Sequence, residues 1–395
     1  MTVIGQPTRT ASYTLIDYVV KDIADISGVL DQCPMLDAGA LWTNINVGGE
    51  KLIKWAEKDT HFQTMHLSAN VAATTTSVTF NVATNYARIG DILRCEAAAG
   101  TEYVLVTAVA NNALTVTRAY NGSTKRLIST TRNIYITGNV QAEGATFTAG
   151  LSTIETEVSN YLQISTEQYM VSGSLAKSTP VYGSDSPLDR ERVSAGRRLR
   201  VKTARAMIHN ATSVKMTGSI RGLTKGLAGY IVTNKYSIKS STVSGTTTGN
   251  TTLTALKLDR FFGVLRISGQ SDRVSVFAGG TAHSALCAAL KAAGTEFRPV
   301  GYMGIGGAAI TEFYAATGQM VRFVLDRNVP SDTLYAMDIG NPNALWGVAF
   351  NREYDDIPEA AGTRDAVGGN VLNEFAVVVM NEKCHGTIYG ITCGG

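Results

Sequence analysis

Residues 186–210 read SPLDRERVSAGRRLRVKTARAMIHN, and this stretch organises the rest of the chain. Ser186 suits an N-cap, Pro187 the first helical position, and Asp189 the place of a capping-box acid. No proline interrupts the residues that follow, so the pattern predicts a helix of about 36 Å at 1.5 Å per residue. Leu188, Ala195, Leu199 and Ala206 fall on one side, while Arg190, Arg197, Arg198 and Arg205 lie well away from that seam. A core-facing helix needs an apolar face at least about 100° wide. A stripe this narrow therefore predicts a long helix touching its own fold along one side of a thin protein.

Composition sets the outer limits. The chain has 395 residues, 44% hydrophobic and 17% charged, with 39 glycines and 8 prolines. That is ample apolar material for a folded core, and the length allows two or three domains. A formal net charge of +3 provides no global field toward nucleic acid or membrane. No run of eighteen apolar residues occurs, and MTVIGQPTRT lacks a signal-peptide core. The five cysteines are odd in number and form no CxxC, which suits a reducing compartment rather than a disulfide or zinc framework.

Outward from the helix toward the N-terminus, residues 1–31 read as an extended arm followed by a short helix. Residues 32–65 hold Trp42 and Trp55 on either side of the Gly48-Gly49 turn signal and read as the first leg of a long hairpin. Residues 66–138 change character, becoming rich in Thr, Val, Ala and Asn. Strand-like runs at 75–82, 87–95, 102–110, 113–120 and 133–138 alternate with turn signals, predicting a compact β-barrel or sandwich set into the hairpin. Its expected core is Val78, Phe80, Ile89, Ile92, Leu93, Val104, Val106, Leu114, Val116 and Ile134. Residues 139–176 return to extended alternation, as a second leg. An isolated hairpin is marginal in water, so the two legs are expected to rest on another chain.

Toward the C-terminus, 214–236 is glycine-dense and 239–254 is a Ser/Thr/Gly tract of low complexity, read as a loop. Helical spacing returns in Leu256, Leu258, Phe261, Phe262 and Leu265, and in TAHSALCAALKAA from Thr281, with Gly294 as the stop. Strands are expected at 273–277, 319–325, 333–337, 344–350, 373–380 and 386–391. The last third is therefore α/β or α+β, a sheet flanked by helices.

This order of parts resembles the major capsid proteins of tailed bacteriophages, the Hong Kong ninety-seven type fold that encapsulins share. The stretches that carry the resemblance are EKLIKWAEKD (50–59), SNYLQISTEQYMVSGS (159–174), RGLTKGL (221–227), and the closing sequence FVLDRNVPSDTLYAMDIGNPNALWGVAF (323–350) with NEFAVVVMNEKCHGTIYGI (373–391). The resemblance implies an α+β fold: an N-terminal arm (1–31), an extended loop (32–65 and 139–176), a peripheral domain (177–254 and 346–395) with spine helix 186–210, and an α/β axial domain (255–345). The β-barrel insertion, 66–138, marks a branch of the family. The resemblance further implies self-assembly into hexamers and pentamers of an icosahedral shell around double-stranded viral DNA, in a virion built in the host cytoplasm. Implied partners are a portal protein, either a separate scaffolding protein or none, decoration proteins in some members, and DNA touched weakly and without sequence preference. The chain starts directly in the arm, without the helical leader that serves some members as a built-in scaffold. Arg190, Arg197, Arg198, Arg205, Trp42 and Trp55 are the expected intersubunit contacts, the arginines meeting acidic residues of neighbouring chains in preference to DNA. No cross-linking residue can be matched.

Signals for catalysis are weak. GYMGIGG (301–307) lacks the GxGxxG spacing of a phosphate loop, and no P-loop, HExxH or GxSxG is present. Cys384-His385 would be adjacent on a strand and so point to opposite faces. His61, His66, His209 and His283 are scattered without metal-ligand spacing. Asp355-Asp356 reads as a solvated turn or an intersubunit partner for arginines. No catalytic, cofactor or metal site is assigned. Two rivals stand beside the phage shell: an encapsulin-type shell around cargo enzyme, and a carbohydrate-binding or hydrolytic protein using 66–139 as its binding module.

Overall fold

A computed structural model describes residues 33–43, 51–58, 64–74, 77–83, 85–141, 143, 155–177, 186–244, 251–269, 272–292, 299–304, 307–310, 312–359 and 365–392. The expected arm, the Gly48-Gly49 turn, Gly294 and part of the 239–254 tract lie outside these residues. The chain divides into two compact units, a larger one of Met1–Trp55 with Glu157–Gly395 and a smaller one of Ala56–Thr156.

The larger unit holds two principal sheets. The first runs β1 (Ala40–Trp42), β17 (Trp346–Pro358), β18 (Ala366–Val379), β9 (Gln163–Ser172), with β1 parallel to β17 and the other pairs antiparallel. Helix α2 (Pro187–His209) packs on this sheet. Its start is as expected: Ser186 Oγ accepts the Asp189 N–H at 3.1 Å and donates to Asp189 Oδ2 at 2.5 Å. Over the first half the narrow seam is real, because Ala195 and Leu199 pack with Tyr169 and Val371 while Leu188 is partly buried against them. The second half differs from the expectation. Thr203, Ala204, Ala206, Met207 and Ile208 are all buried, and all but Thr203 belong to the unit's main core with Trp346, Phe350 and Phe375. The helix thus lies on the surface at its start and enters the core at its end.

The glycine-dense segment after α2 crosses the helix at Ala206 and Met207. A Cβ on Gly226 would lie 2.5 Å from Met207 O and 2.6 Å from Ala206 O, so only glycine lets the chain cross the end of the helix. Gly226 N–H donates to Asn210 O at 2.8 Å, closing the crossing.

The second sheet runs β10 (Lys235–Ser237), β19 (Gly386–Tyr389), β16 (Leu334–Asp338), β11 (Arg273–Ala278), β15 (Met320–Leu325), β14 (Glu312–Tyr314). Helices α3 (Ala255–Gly269) and α4 (Gly280–Ala292) supply Phe261, Phe262, Leu265, Leu286 and Leu290 to its core. Alternation fails here because β11 and β16 are buried at nearly every position. Strand β19, expected in a different domain from β16, pairs with it, so the division anticipated at 345/346 does not separate the sheets.

The two legs of the expected loop also divide differently. β2 (Leu52–Glu57) and β8 (Thr156–Tyr161) form a two-stranded ribbon, but β9 leaves it and pairs with β18 from Gln163 to Ser172. The ribbon's base is seated in its own chain: Ile53 and Trp55 join the main core, and Trp55 lies 6.0 Å from the Tyr230 ring.

The smaller unit is a five-stranded antiparallel sheet ordered β3 (Ser77–Asn81), β6 (Ala113–Thr117), β5 (Gly100–Ala110), β4 (Asp91–Ala97), β7 (Ile134–Asn139). Met65 bridges to Ile134 and Leu67 to Val82, so one short segment touches both edges and draws the sheet round its core. Nine of the expected core positions are buried or half-buried, but Ile89 is 45% exposed because it sits in the turn before β4.

Candidate assembly surface

Three of the stretches that carry the family resemblance meet at one buried joint. Asn160, in β8, donates through Nδ2 to Thr224 Oγ1 at 2.9 Å, Lys225 O at 2.9 Å and Val377 O at 2.7 Å. Its Oδ1 accepts the Lys225 N–H at 2.9 Å, and Thr224 Oγ1 accepts the Val377 N–H at 3.0 Å. Both side chains are buried, so every bond here replaces one that water cannot supply. The joint ties the ribbon, the glycine crossing and β18 together.

A second joint lies at the Asp326-Arg327-Asn328 turn after β15. Asp326 is fully buried; its Oδ2 accepts the Met35 N–H at 3.0 Å at the start of α1 (Pro34–Ala38), and its Oδ1 accepts the Asn328 N–H at 2.8 Å. His209 Nε2, in the last turn of α2, donates to Asn328 O at 2.8 Å. Burial, with the nearby Asp326 charge, pushes the Cys33 thiol up to about 11, so this cysteine stays protonated.

The exposed side of α2 carries its charges unevenly. Arg198 Nε donates to Glu167 Oε2 at 3.2 Å, and Lys202 pairs with the same carboxylate. Arg192 Nε meets Asp356 Oδ2 at 2.9 Å, where Tyr169 O–H donates to Oδ1 at 2.6 Å, and Arg200 pairs with Asp37. Arg198, expected to meet a neighbouring chain, is therefore engaged by its own. Arg197 and Arg205 point outward, whereas Arg190 is half-buried with Nε lacking a hydrogen-bond partner among the described residues. Trp42 is partly buried against the main core and Trp55 is nine-tenths buried within it. The six candidates are thus spread over the fold rather than gathered in one patch.

The Cys384-His385 pair is not on a strand but at the end of a short 3-10 turn, with both residues buried. His385 Nδ1 accepts the Asp338 N–H at 3.1 Å, and burial drives the imidazole pKa down to about 4, against a backbone hydrogen bond to Met380 that raises it. The enclosed imidazole lies next in sequence to a buried thiol, and through Nδ1 it holds the backbone at Asp338. Asp355 is answered by Arg352 Nε at 2.8 Å, and Asp356 by Arg192, so neither stands as an ion site. Among the described residues no three His, Cys, Asp or Glu side chains converge as metal ligands, and no helix is long and apolar enough to cross a membrane.

The smaller unit holds a group that residue-by-residue reading passed over. Arg118 and Glu102 form a two-pronged ion pair, Nε to Oε1 at 2.9 Å and Nη2 to Oε2 at 2.6 Å, with both side chains fully buried. Glu102 also accepts the N–H groups of Ala119 at 3.2 Å and Arg126 at 2.8 Å, while Arg118 donates to Ala72 O and Arg126 O. Burial, and then the Glu102 charge, push the Cys95 thiol up to about 12. The pattern Thr101-Glu102-Tyr103 within an alternating strand does place Glu102 on the inward face, which was the available signal.

No curated protein matches the sequence. Among solved structures, the capsid of a native GTA particle is similar at 10% identity over 98% of this chain and 98% of that one, with a TM-score of 0.47. The capsid asymmetric unit of cyanophage A-1(L) is similar at 14% identity over 95% and 96%, TM-score 0.47. The SrpI encapsulin complex from Synechococcus elongatus PCC 7942 gives 12% identity over 61% and 78%, TM-score 0.45. The profile described as SU10 major capsid protein matches residues 40–392, a span that takes in both compact units and nearly every described element, and the chain belongs to that family.

Proposed function

We propose that copies of this shell-forming capsid protein assemble into the hexamers and pentamers of an icosahedral phage head enclosing double-stranded DNA. Assembly would take place in the host cytoplasm, with a portal at one vertex and with separate scaffolding and decoration proteins. The observation that carries the reading is the family match across 40–392. Surface features support it: β9 is an edge strand ten residues long with Ile164 exposed, and Arg197 and Arg205 face outward from α2. Edge strands of that length invite pairing unless a neighbour covers them. Arg190, Arg197, Arg205 and Trp42 are proposed to meet neighbouring subunits, and the role is structural rather than catalytic. Outward-facing arginines also suit weak contact with DNA phosphates.

Particles isolated from producing cells and treated with nuclease test the reading. Protected double-stranded DNA inside closed shells is expected. Shells holding a protein cargo and no DNA would instead establish the encapsulin-like alternative, and a chain that never leaves the monomeric state would overturn both.

A further inference from the structure

Residues 103–142 contain Arg118, Lys125, Arg126 and Arg132 and no aspartate or glutamate. Arg118 is neutralised by Glu102, which leaves the net positive charge on the segment between β6 and β7. That segment is held rigidly. Glu102 takes the N–H groups of Ala119 and Arg126, Ser123 Oγ accepts the Tyr103 N–H at 3.1 Å, and Ile128 exchanges two backbone hydrogen bonds with Val71 at 2.9 and 3.0 Å. Leu127 stands 57% exposed beside the basic side chains. A buried ion pair is a costly way to hold a loop that only has to be solvated. It is a sound way to preorganise one that must bind, since ordering then costs nothing at the moment of contact.

The far half of β17 has the opposite character. Residues 352–359 read REYDDIPE, with four acids and one base. Asp355 and Asp356 are answered within the chain, whereas Glu353 and Glu359 are exposed with no ion pair among the described residues. Ile357 is 40% exposed and lies between them. Each patch is thus an exposed aliphatic side chain with a charged rim, and the rims are opposite in sign. That is the make-up of a specific contact, in which the rim charges steer and register the pair.

We propose that the basic 119–132 segment of one copy docks on the acidic 353–359 segment of a second copy. Two different patches used head to tail give a heterologous contact, the kind that closes into rings. The inference rests on the shell-forming reading above.

Charge reversal with mixing tests it. One variant carries K125E and R132E, the other E353K and E359K. Each alone should assemble about tenfold less than the unaltered chain at physiological salt. Mixed in equal amounts they should recover, because each reversed patch then finds its complement on the other chain. A chain carrying all four substitutions should also assemble, which shows that the substituted patches still fold. Normal assembly of both single-patch variants would overturn the proposal. So would recovery in the fourfold variant without recovery on mixing, because the two patches would then meet within one chain. If the unaltered chain itself stays monomeric, the shell-forming reading falls, and this contact falls with it.

Discussion

The two compact units are held together in different ways. The smaller one is continuous in sequence, builds its core from neighbouring strands, and places one buried ion pair between β5 and the segment after β6. The larger one is assembled from segments far apart in the chain, and buried polar side chains bonded to distant backbone secure its joints: Asn160 and Thr224 reach Lys225 and Val377, and Asp326 reaches Met35. A unit continuous in sequence can open by itself as one cooperative piece. A unit made of distant segments fails when any joint fails.

The largest effect is expected in the smaller unit. Glu102→Gln leaves the Arg118 charge buried and uncompensated and should cost about 3–5 kcal/mol. Hydrogen exchange should then show strands 91–117 losing protection while the larger unit keeps its own. The paired replacement Glu102→Met with Arg118→Leu should be far milder, because no buried charge remains. Equal harm from both would show that the pair does more than balance itself.

Asn160→Ala should destabilise the larger unit by about 3 kcal/mol, because it strands buried partners on two segments at once. Denaturation followed by the fluorescence of Trp55 and Trp346, both in the main core, measures it. If the smaller unit's protection falls in step, the two units are not separate in stability.

His385 makes the larger unit sensitive to acid. Its pKa in the folded chain, about 4, lies below the ordinary histidine value of 6.5. The unfolded chain therefore binds more protons between those values, and stability is lost as pH falls through that window. The loss is of order 3 kcal/mol at pH 4 relative to pH 7, and His385→Asn should remove most of the slope. A slope unchanged in the variant would mean that other groups dominate.

The smallest effect is expected on the helix surface. Glu167→Gln weakens the partly exposed pairing with Arg198 and Lys202 and should change stability by less than about 1 kcal/mol.

These differences track what sequence reading reaches. The smaller unit's strands were legible because period-two alternation and turn pairs are local, and Ile89 was misplaced only because a turn residue resembles the first residue of a strand. The start of α2 was legible through Ser186, Pro187 and Asp189. Its end was not: Thr203 looks indifferent until the fold brings Asn373 against it, donating through Nδ2 to Thr203 Oγ1 at 3.2 Å. Asn160 and Thr224 carry no local signal of burial, since nothing nearby reveals partners more than sixty positions away. The candidate contacts were the least legible part. Whether an arginine faces outward depends on which acid the fold sets beside it, as Glu167 does for Arg198.

Electron microscopy of the purified full-length chain, across a range of concentration and salt, tests the central claim most directly. Closed rings or shells of repeated copies are the predicted result. A population that remains 42.0 kDa monomers under every condition would contradict the account.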